Sequence, residues 1–467
     1  MPETRNARDA FIIAAVSPRT GSHASGTIAD ASKLLAADPS LAARDIHTAA
    51  ILGDDVAVRA FLAADPTLAT SKSAPYDWDA LTHLCFSRYL RLDPARSDGF
   101  VKTARALLDT GADANTGFYE TDHQPTPEYE PVLYGAAGVA HHEGVTRLLL
   151  ERGADPNSEE VPYHAPEGYD PGAYRALLES DKLTADSLTT MLLRKSDWHD
   201  VDGMRLTLER GADANAAGRW GATPLAHAIR SDNRVSIIEL LLDHGANPLS
   251  INRGRTPVAM AAWAGRGDLL TLFAQRGAPI STLSAVDALI AACALHDAET
   301  VQRLTRTSPK LADELRVHGA ILLVRFAGNS NARGIECLLD LGVPVNTPEP
   351  HGEGYLGRAR NSTALHVAAF RGHHDLVRML IARGADVNIR NASDESPLII
   401  AVNANLDSYW VDSQSPDSVA ALLAAGANVS GVRFPCAYAA VDELLRAHGA
   451  SCLRRALERN RDFPAFL

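Results

Sequence analysis

The chain has 467 residues, 46% of them hydrophobic, and a formal net charge of -12. An acidic balance of this size disfavours direct nucleic-acid binding, which calls for a basic face or stripe. No stretch approaches the roughly 20 apolar residues that span a bilayer, and the five cysteines, odd in number and without a C-x-x-C pair, fit small buried hydrophobes in a reducing cytoplasm.

At the N-terminus the apolar run Ala10–Val16 follows Asp9 and is shorter than a secretory h-region, so it reads as a first helix. The stretch Leu35-Ala36-Ala37-Asp38-Pro39-Ser40-Leu41-Ala42 is echoed at Leu62–Ala69 and partly at Ser308–Ala312, each time with Pro ending a helix. A second ending, Gly-Ala-Asp-x-Asn, recurs at Gly111, Gly153, Gly211 and Gly384, with variants at Gly245, Gly277, Gly342 and Gly426. The steps from Gly211 to Gly245 and from Gly245 to Gly277 are 34 and 32 residues, one unit each; those from Gly153 to Gly211 and from Gly277 to Gly342 hold two. Both endings together give about twelve units over residues 7–429, degenerate at the N-terminus and in the middle, clearest at 218–280 and 361–388. Residues 430–467 follow as a partial repeat and polar helical cap, with Arg446, Arg454, Arg455, Arg459 and Arg461 supplying the charged face that must end such a stack.

The clearest unit is Asn361–Asn388, NSTALHVAAFRGHHDLVRMLIARGADVN. Thr363 is placed to cap a first short helix, and Gly372 and Gly384 to end the two helices. Leu376, Val377, Met379, Leu380 and Ile381 form an apolar face too wide for a helix wetted on one side, so neighbours of the same kind must cover it. Thr363, Leu365, His366, Ala368, Ala369, Gly372, His373, Leu380, Gly384, Ala385, Asp386 and Asn388 resemble the ankyrin repeat, whose period is about 33 residues; Ala364 stands where the family usually has Pro. Thr223-Pro224-Leu225 and Thr256-Pro257-Val258 open helices in the same way. The resemblance implies an all-α ankyrin-repeat solenoid of paired antiparallel helices with β-hairpin loops between repeats. It also implies that the insertions at Thr116–Pro131 and Thr347–Ser362, which lengthen the segment between repeats, are protruding hairpin fingers. Those at Ser17–Gly26, Asp93–Asp98 and Asn405–Asp417 fall between the two helices of one repeat and should project elsewhere.

Nucleotide-loop, zincin, nucleophile-elbow and kinase signatures are absent from the sequence. His141-His142 and His373-His374 are adjacent, pointing about 100° apart on a helix, and read as structural; Cys293, in an apolar run, reads as packing rather than a nucleophile. A compositional signal is stronger. Ala112–Thr146 and Gly153–Tyr174 contain no Lys or Arg, while Glu120, Asp122, Glu128, Glu130, Glu159, Glu160, Glu167 and Asp170 accumulate there with Tyr119, Tyr129, Tyr134, Tyr163, Tyr169 and Tyr174. Tyrosine offers large contact area at low entropic cost. The finger residues Tyr119, Glu120, Asp122, Glu128, Tyr129 and Glu130 therefore form one candidate surface, and unneutralised carboxylates would suit a protein partner with a basic face; packing of degenerate helices accounts equally for some of these tyrosines.

The ankyrin resemblance supplies a second candidate surface, hairpin tips and exposed first-helix faces, which project onto Trp220, Arg253, Arg255, Trp263, Phe370 and Arg371, with packing against the next hairpin as the alternative. The expected function is a non-catalytic, cytoplasmic protein-binding scaffold without cofactor or metal and without nucleic-acid or membrane partners. The rival is a ligand-binding or metal-dependent ankyrin-fold enzyme with a site between residues 116–131 and 158–170, where His123, Glu128, Glu130 and His164 would supply ligands or acid-base groups.

Overall fold

A computed structural model describes residues 7–451 except 20, 121–125, 159, 169, 279, 354–357 and 408–413. Asp122, His123, Glu159, Tyr169 and the cap residues Arg454, Arg455, Arg459 and Arg461 lie outside the described residues, as does part of the insertion at Asn405–Asp417. The described chain is built of short antiparallel helix pairs and groups into two compact units, residues 7–224 with 243–245 and residues 225–242 with 246–451.

In the first unit Ala7–Ala15 pairs with Ala29–Ala37, Ile46–Ile51 with Asp55–Ala64, and Ala80–Cys85 with Ser97–Asp109. Next come Val132–Tyr134, running into a π-helical turn at Gly135–Val139, with Glu143–Glu151; then Glu160–His164 with Pro171–Glu179, and Ala185–Asp197 with Val201–Glu209. Acidic caps begin many of them: the Asp45 carboxylate accepts from the N–H groups of His47 and Thr48, Asp79 from Thr82, and Asp200 from Gly203, satisfying donors the helix leaves unpaired.

The Gly-Ala-Asp-x-Asn ending has a division of labour. Gly384 sits at φ +87°, a left-handed conformation that a Cβ would strain. The Asp folds an Asx turn: the carboxylates of Asp113, Asp155, Asp213 and Asp386 accept from the N–H two residues on, at 2.8 to 2.9 Å. The Asn then latches one repeat to the next. Asn115 donates to Gly153 O and accepts from Asp155 N–H; Asn346 does the same with Gly384 and Asp386, and Asn388 with Gly426 and Asn428.

The second unit repeats the plan with Pro257–Trp263 and Gly267–Gln275, Ala285–Leu295 and Ala298–Thr307, Gly319–Gly328 and Ala332–Asp340, Ala364–Phe370 and His374–Ala382, Pro397–Asp407 and Asp417–Ala424, and a last helix Ala439–Ala447. Leu376, Val377 and Leu380 are buried, with Met379 and Ile381 half-buried beside them. Cys293 is buried against Cys337, with its sulfur 2.8 Å away; that contact and burial raise the Cys293 pKa, so it is packing rather than a nucleophile. At the base of the second finger Glu349 is buried, accepts from the N–H groups of His351 and Gly352, and meets Arg358 at 3.4 Å.

His366 closes a capping box with Thr363. Its Nδ1 accepts from the Thr363 N–H at 3.1 Å, which leaves the Nε2 hydrogen for Glu395 O at 3.1 Å. Burial lowers its pKa from 6.5 to about 4. Between pH 6.5 and 4 the unfolded chain therefore binds a proton that the folded chain refuses, so this contribution is complete above pH 6.5 and is lost as pH falls through 4. The loss amounts to about 3 kcal/mol. Urea titrations of wild type and His366→Gln at pH 7 and pH 4 check this: the variant should lose distinctly less stability on acidification, and equal losses would refute the assignment.

Candidate functional site: a carboxylate and histidine cluster behind a hairpin

The first finger is a two-stranded antiparallel hairpin, β1 (Gly117–Glu120) and β2 (Glu128–Pro131), with Phe118 opposite Glu130, Tyr119 opposite Tyr129 and Glu120 opposite Glu128. Residues directly opposite share a face, and successive residues alternate. Tyr119 and Tyr129 therefore stand together, ring centroids 5.0 Å apart, with Tyr119 60% exposed and the Tyr129 hydroxyl donating to Asn115 O. The opposite face carries Phe118, Glu120, Glu128 and Glu130, and it turns inward. Glu120 is 4% exposed and Glu130 0%, with Glu128 half-buried.

What receives that face comes from the start of the chain. Instead of projecting elsewhere, the insertion beginning at Ser17 lies against the finger: Ser17 N–H bonds Phe86 O, and the Arg19 guanidinium donates to Tyr119 O. His23 is thereby buried among Phe86, Phe118 and Tyr134, with its Nδ1 3.0 Å from Tyr134 Oη and its Nε2 3.5 Å from Glu120 Oε2. Phe118 in turn stacks on the buried Trp78 at 4.5 Å.

Beside this lies a compensated network. His164 Nε2 is 3.0 Å from Glu160 Oε2 and its Nδ1 3.0 Å from Glu167 Oε1, while Arg194 bridges Glu167 and Asp197 at 2.6 and 2.7 Å. Burial would lower the His164 pKa, but the bonds to Glu160 and Glu167 outweigh it and hold the value at about 9. Glu130 contrasts with these. Neither of its oxygens has a hydrogen-bond partner among the described residues, and burial, followed by the charges of Glu160, Glu120 and Glu128, pushes its pKa up to about 8.

These positions correct the surface expected for the finger. Glu120 and Glu130 do not form its acidic rim, because strand alternation turns them inward; Glu128 is half-buried and Asp122 lies outside the described residues. Glu160 is also buried, and Glu167 is neutralised by His164 and Arg194. The case for a basic partner loses most of its charges. Of the rival's ligand set, His164 sits near Glu130 but is engaged by two other carboxylates, and His123 lies outside the described residues.

The residues of the second candidate surface are not all exposed. In the first unit Trp220 is half-buried, with Arg219 over its ring at 4.9 Å and Tyr163 at 5.8 Å. In the second, Arg253 is exposed at a hairpin tip whose Asn252 and Arg255 pair, close to exposed Ile251. Trp263 is buried: its indole N–H donates to Asp287 at 2.6 Å, Arg255 lies 3.8 Å over its ring and His318 packs at 4.8 Å, so it is a packing residue rather than a surface anchor. Arg371 is likewise buried, held by Asp232 at 2.7 Å, and Phe370 is half-buried. The adjacent histidines are engaged within the fold: His142 Nδ1 accepts from Val145 N–H, His373 Nε2 meets Gly328 O and His374 Nδ1 meets Ser418 Oγ.

The sequence reading missed His23, a lone histidine in a loop. The available signal was that the two insertions at 17–26 and 116–131 are long enough to meet.

The family model for the ankyrin repeat matches residues 360–392, and that for three copies of it matches residues 195–283. These matches place ankyrin repeats at residues 195–283 and 360–392, and the helix pairs and the Asp and Asn latches described above fit an all-α ankyrin solenoid. Over 107 residues it is 37% identical to 2-5A-dependent ribonuclease of Mus musculus, covering 22% of this chain and 13% of that protein. It is 26% identical over 238 residues to E3 ubiquitin-protein ligase KEG of Arabidopsis thaliana, covering 46% and 14%. Against the ankyrin repeat and LEM domain-containing protein 1 homolog of Caenorhabditis elegans it is 46% identical over 71 residues, covering 15% and 10%. The chain thus spans only 10 to 14% of the length of these relatives. Among solved structures, the human ASB11 ankyrin repeat domain superposes with a TM-score of 0.34 at 24% identity, over 46% of this chain and 89% of that one. Among the described residues no helix is long and apolar enough to cross a membrane.

Proposed function

We propose that this chain is a non-catalytic, cytoplasmic scaffold that binds another protein through the outward face of the first finger, with Tyr119 and Tyr129 as its anchors. The observation that carries this reading is the adjacent tyrosine pair, ring centroids 5.0 Å apart and one member 60% exposed, on a hairpin whose other face is committed to the interior. Large exposed rings held at low entropic cost are the residue type that binding surfaces favour. The ankyrin repeats matched at residues 195–283 and 360–392, a kind of repeat that generally mediates contacts between proteins, support the scaffold reading. The division into about twelve repeats over residues 7–429 with a cap at 430–467 belongs to the same proposal, as do subsidiary contacts at Trp220, Arg253 and Phe370.

With the finger carboxylates turned inward, the contact rests on aromatic surface more than on charge. Affinity capture with tagged wild type and with a Tyr119→Ala, Tyr129→Ala double variant tests this. The double variant should release the specifically retained partner faster, by roughly 2 kcal/mol or more if the pair behaves as a hot spot. An unchanged off-rate would move the site to the surface around Trp220 or Arg253.

A further inference from the structure

Three side chains from two distant stretches converge behind the finger. One donor atom from each of His23, Glu120 and Glu130 lies within 4.8 Å of the other two, and the residues are 5%, 4% and 0% exposed. The 3.5 Å separation of His23 Nε2 and Glu120 Oε2 is that of neighbouring ligands on a tetrahedral ion with bonds of about 2.0–2.2 Å, which stand roughly 3.3–3.6 Å apart. The other ring nitrogen of His23 is held by the Tyr134 hydroxyl at 3.0 Å, the kind of outer contact that fixes the tautomer and aim of a ligating imidazole. Glu130 is wholly buried, and no described residue bonds either oxygen. An ionised carboxylate in that state is costly unless a cation meets it; otherwise it must hold a proton.

Two nearby positive groups are already committed. His164 is shared by Glu160 and Glu167, and Arg194 by Glu167 and Asp197. Neither bonds Glu130. The donor set is one imidazole and two carboxylates without thiolate, which suits zinc and its first-row neighbours better than magnesium or calcium, whose sites are built of oxygen.

We propose that His23, Glu120 and Glu130 bind one zinc-class divalent cation that clips the insertion around His23 to the inner face of the hairpin. The ligands' burial leaves little room for a substrate, so the ion acts structurally, tying β1 and β2 to the N-terminal insertion and holding the tyrosine face outward.

The test uses the full chain, stripped with chelator and then equilibrated with zinc chloride, with magnesium chloride as comparator. Metal analysis after gel filtration should find one zinc per chain and no retained magnesium, and zinc should raise the midpoint of thermal unfolding. Glu130→Gln, which keeps shape and removes charge, and His23→Ala should each weaken zinc binding by more than about 100-fold, since loss of even an outer contact costs roughly 10 to 100-fold. Bound cobalt should give visible d–d bands in wild type that vanish in Glu130→Gln. Circular dichroism establishes that each variant is folded; should His23→Ala not fold, Glu130→Gln alone decides. Absence of stoichiometric zinc in wild type, or equal zinc binding by folded Glu130→Gln, would overturn the site.

Discussion

Replacing Leu380 by aspartate should unfold the second unit. Leu380 is fully buried in the helix His374–Ala382, which packs against Ala364–Phe370 on one side and Asp417–Ala424 on another. The substitution removes a packed side chain and buries an unpaired charge; cavity and desolvation terms together cost more than about 4 kcal/mol. In a repeat stack each unit is stabilised by its neighbours, so the loss should spread locally rather than uniformly. Limited proteolysis reads the result: new cleavages should concentrate in residues 246–451 while residues 7–224 stay protected. Equal protection of both units in the variant would reject the nearest-neighbour picture.

Trp78→Ala should have a comparably large effect on the first unit. Trp78 is 2% exposed, stacks on Phe118 at 4.5 Å, and packs against Tyr76, His83 and Phe86 at centroid distances of 4.9 to 5.8 Å. Truncating a tryptophan in such a setting costs about 3–5 kcal/mol. Phe118 is the inward residue of β1, so the hairpin loses its support as well. Chemical denaturation followed by near-ultraviolet circular dichroism should show an earlier transition for Trp78→Ala and a much smaller shift for Trp78→Phe. A loss below about 1 kcal/mol would mean that the aromatic cluster collapses around the gap rather than leaving a cavity.

The local elements were legible because their determinants are local. Thr363 with His366, Gly384 in its left-handed conformation, and Asp386 with Asn388 act within a few residues or on the next copy of the same motif. The first finger was legible as an insertion, but its faces were not. Alternation alone separates Tyr119 and Tyr129 from Glu120 and Glu130 once the register is known; which face turns inward is settled by Trp78, Phe86 and His23, far away in sequence. A run of carboxylates without lysine or arginine reads as solvated on composition, and nothing local shows that Glu120 meets His23 or that Glu167 meets Arg194. Trp263 shows the same limit: Asp287 and His318, from later in the chain, convert an apparent surface anchor into a hydrogen-bonded packing residue.

One hairpin presents aromatic surface outward while its carboxylate face is held inside. Hydrogen–deuterium exchange of the chain, alone and with the protein it retains in affinity capture, shows whether that outward face is where the partner sits. Binding should bring new amide protection in residues 117–120 and 128–131. Protection confined to residues 218–280, with the hairpin unchanged, would contradict it.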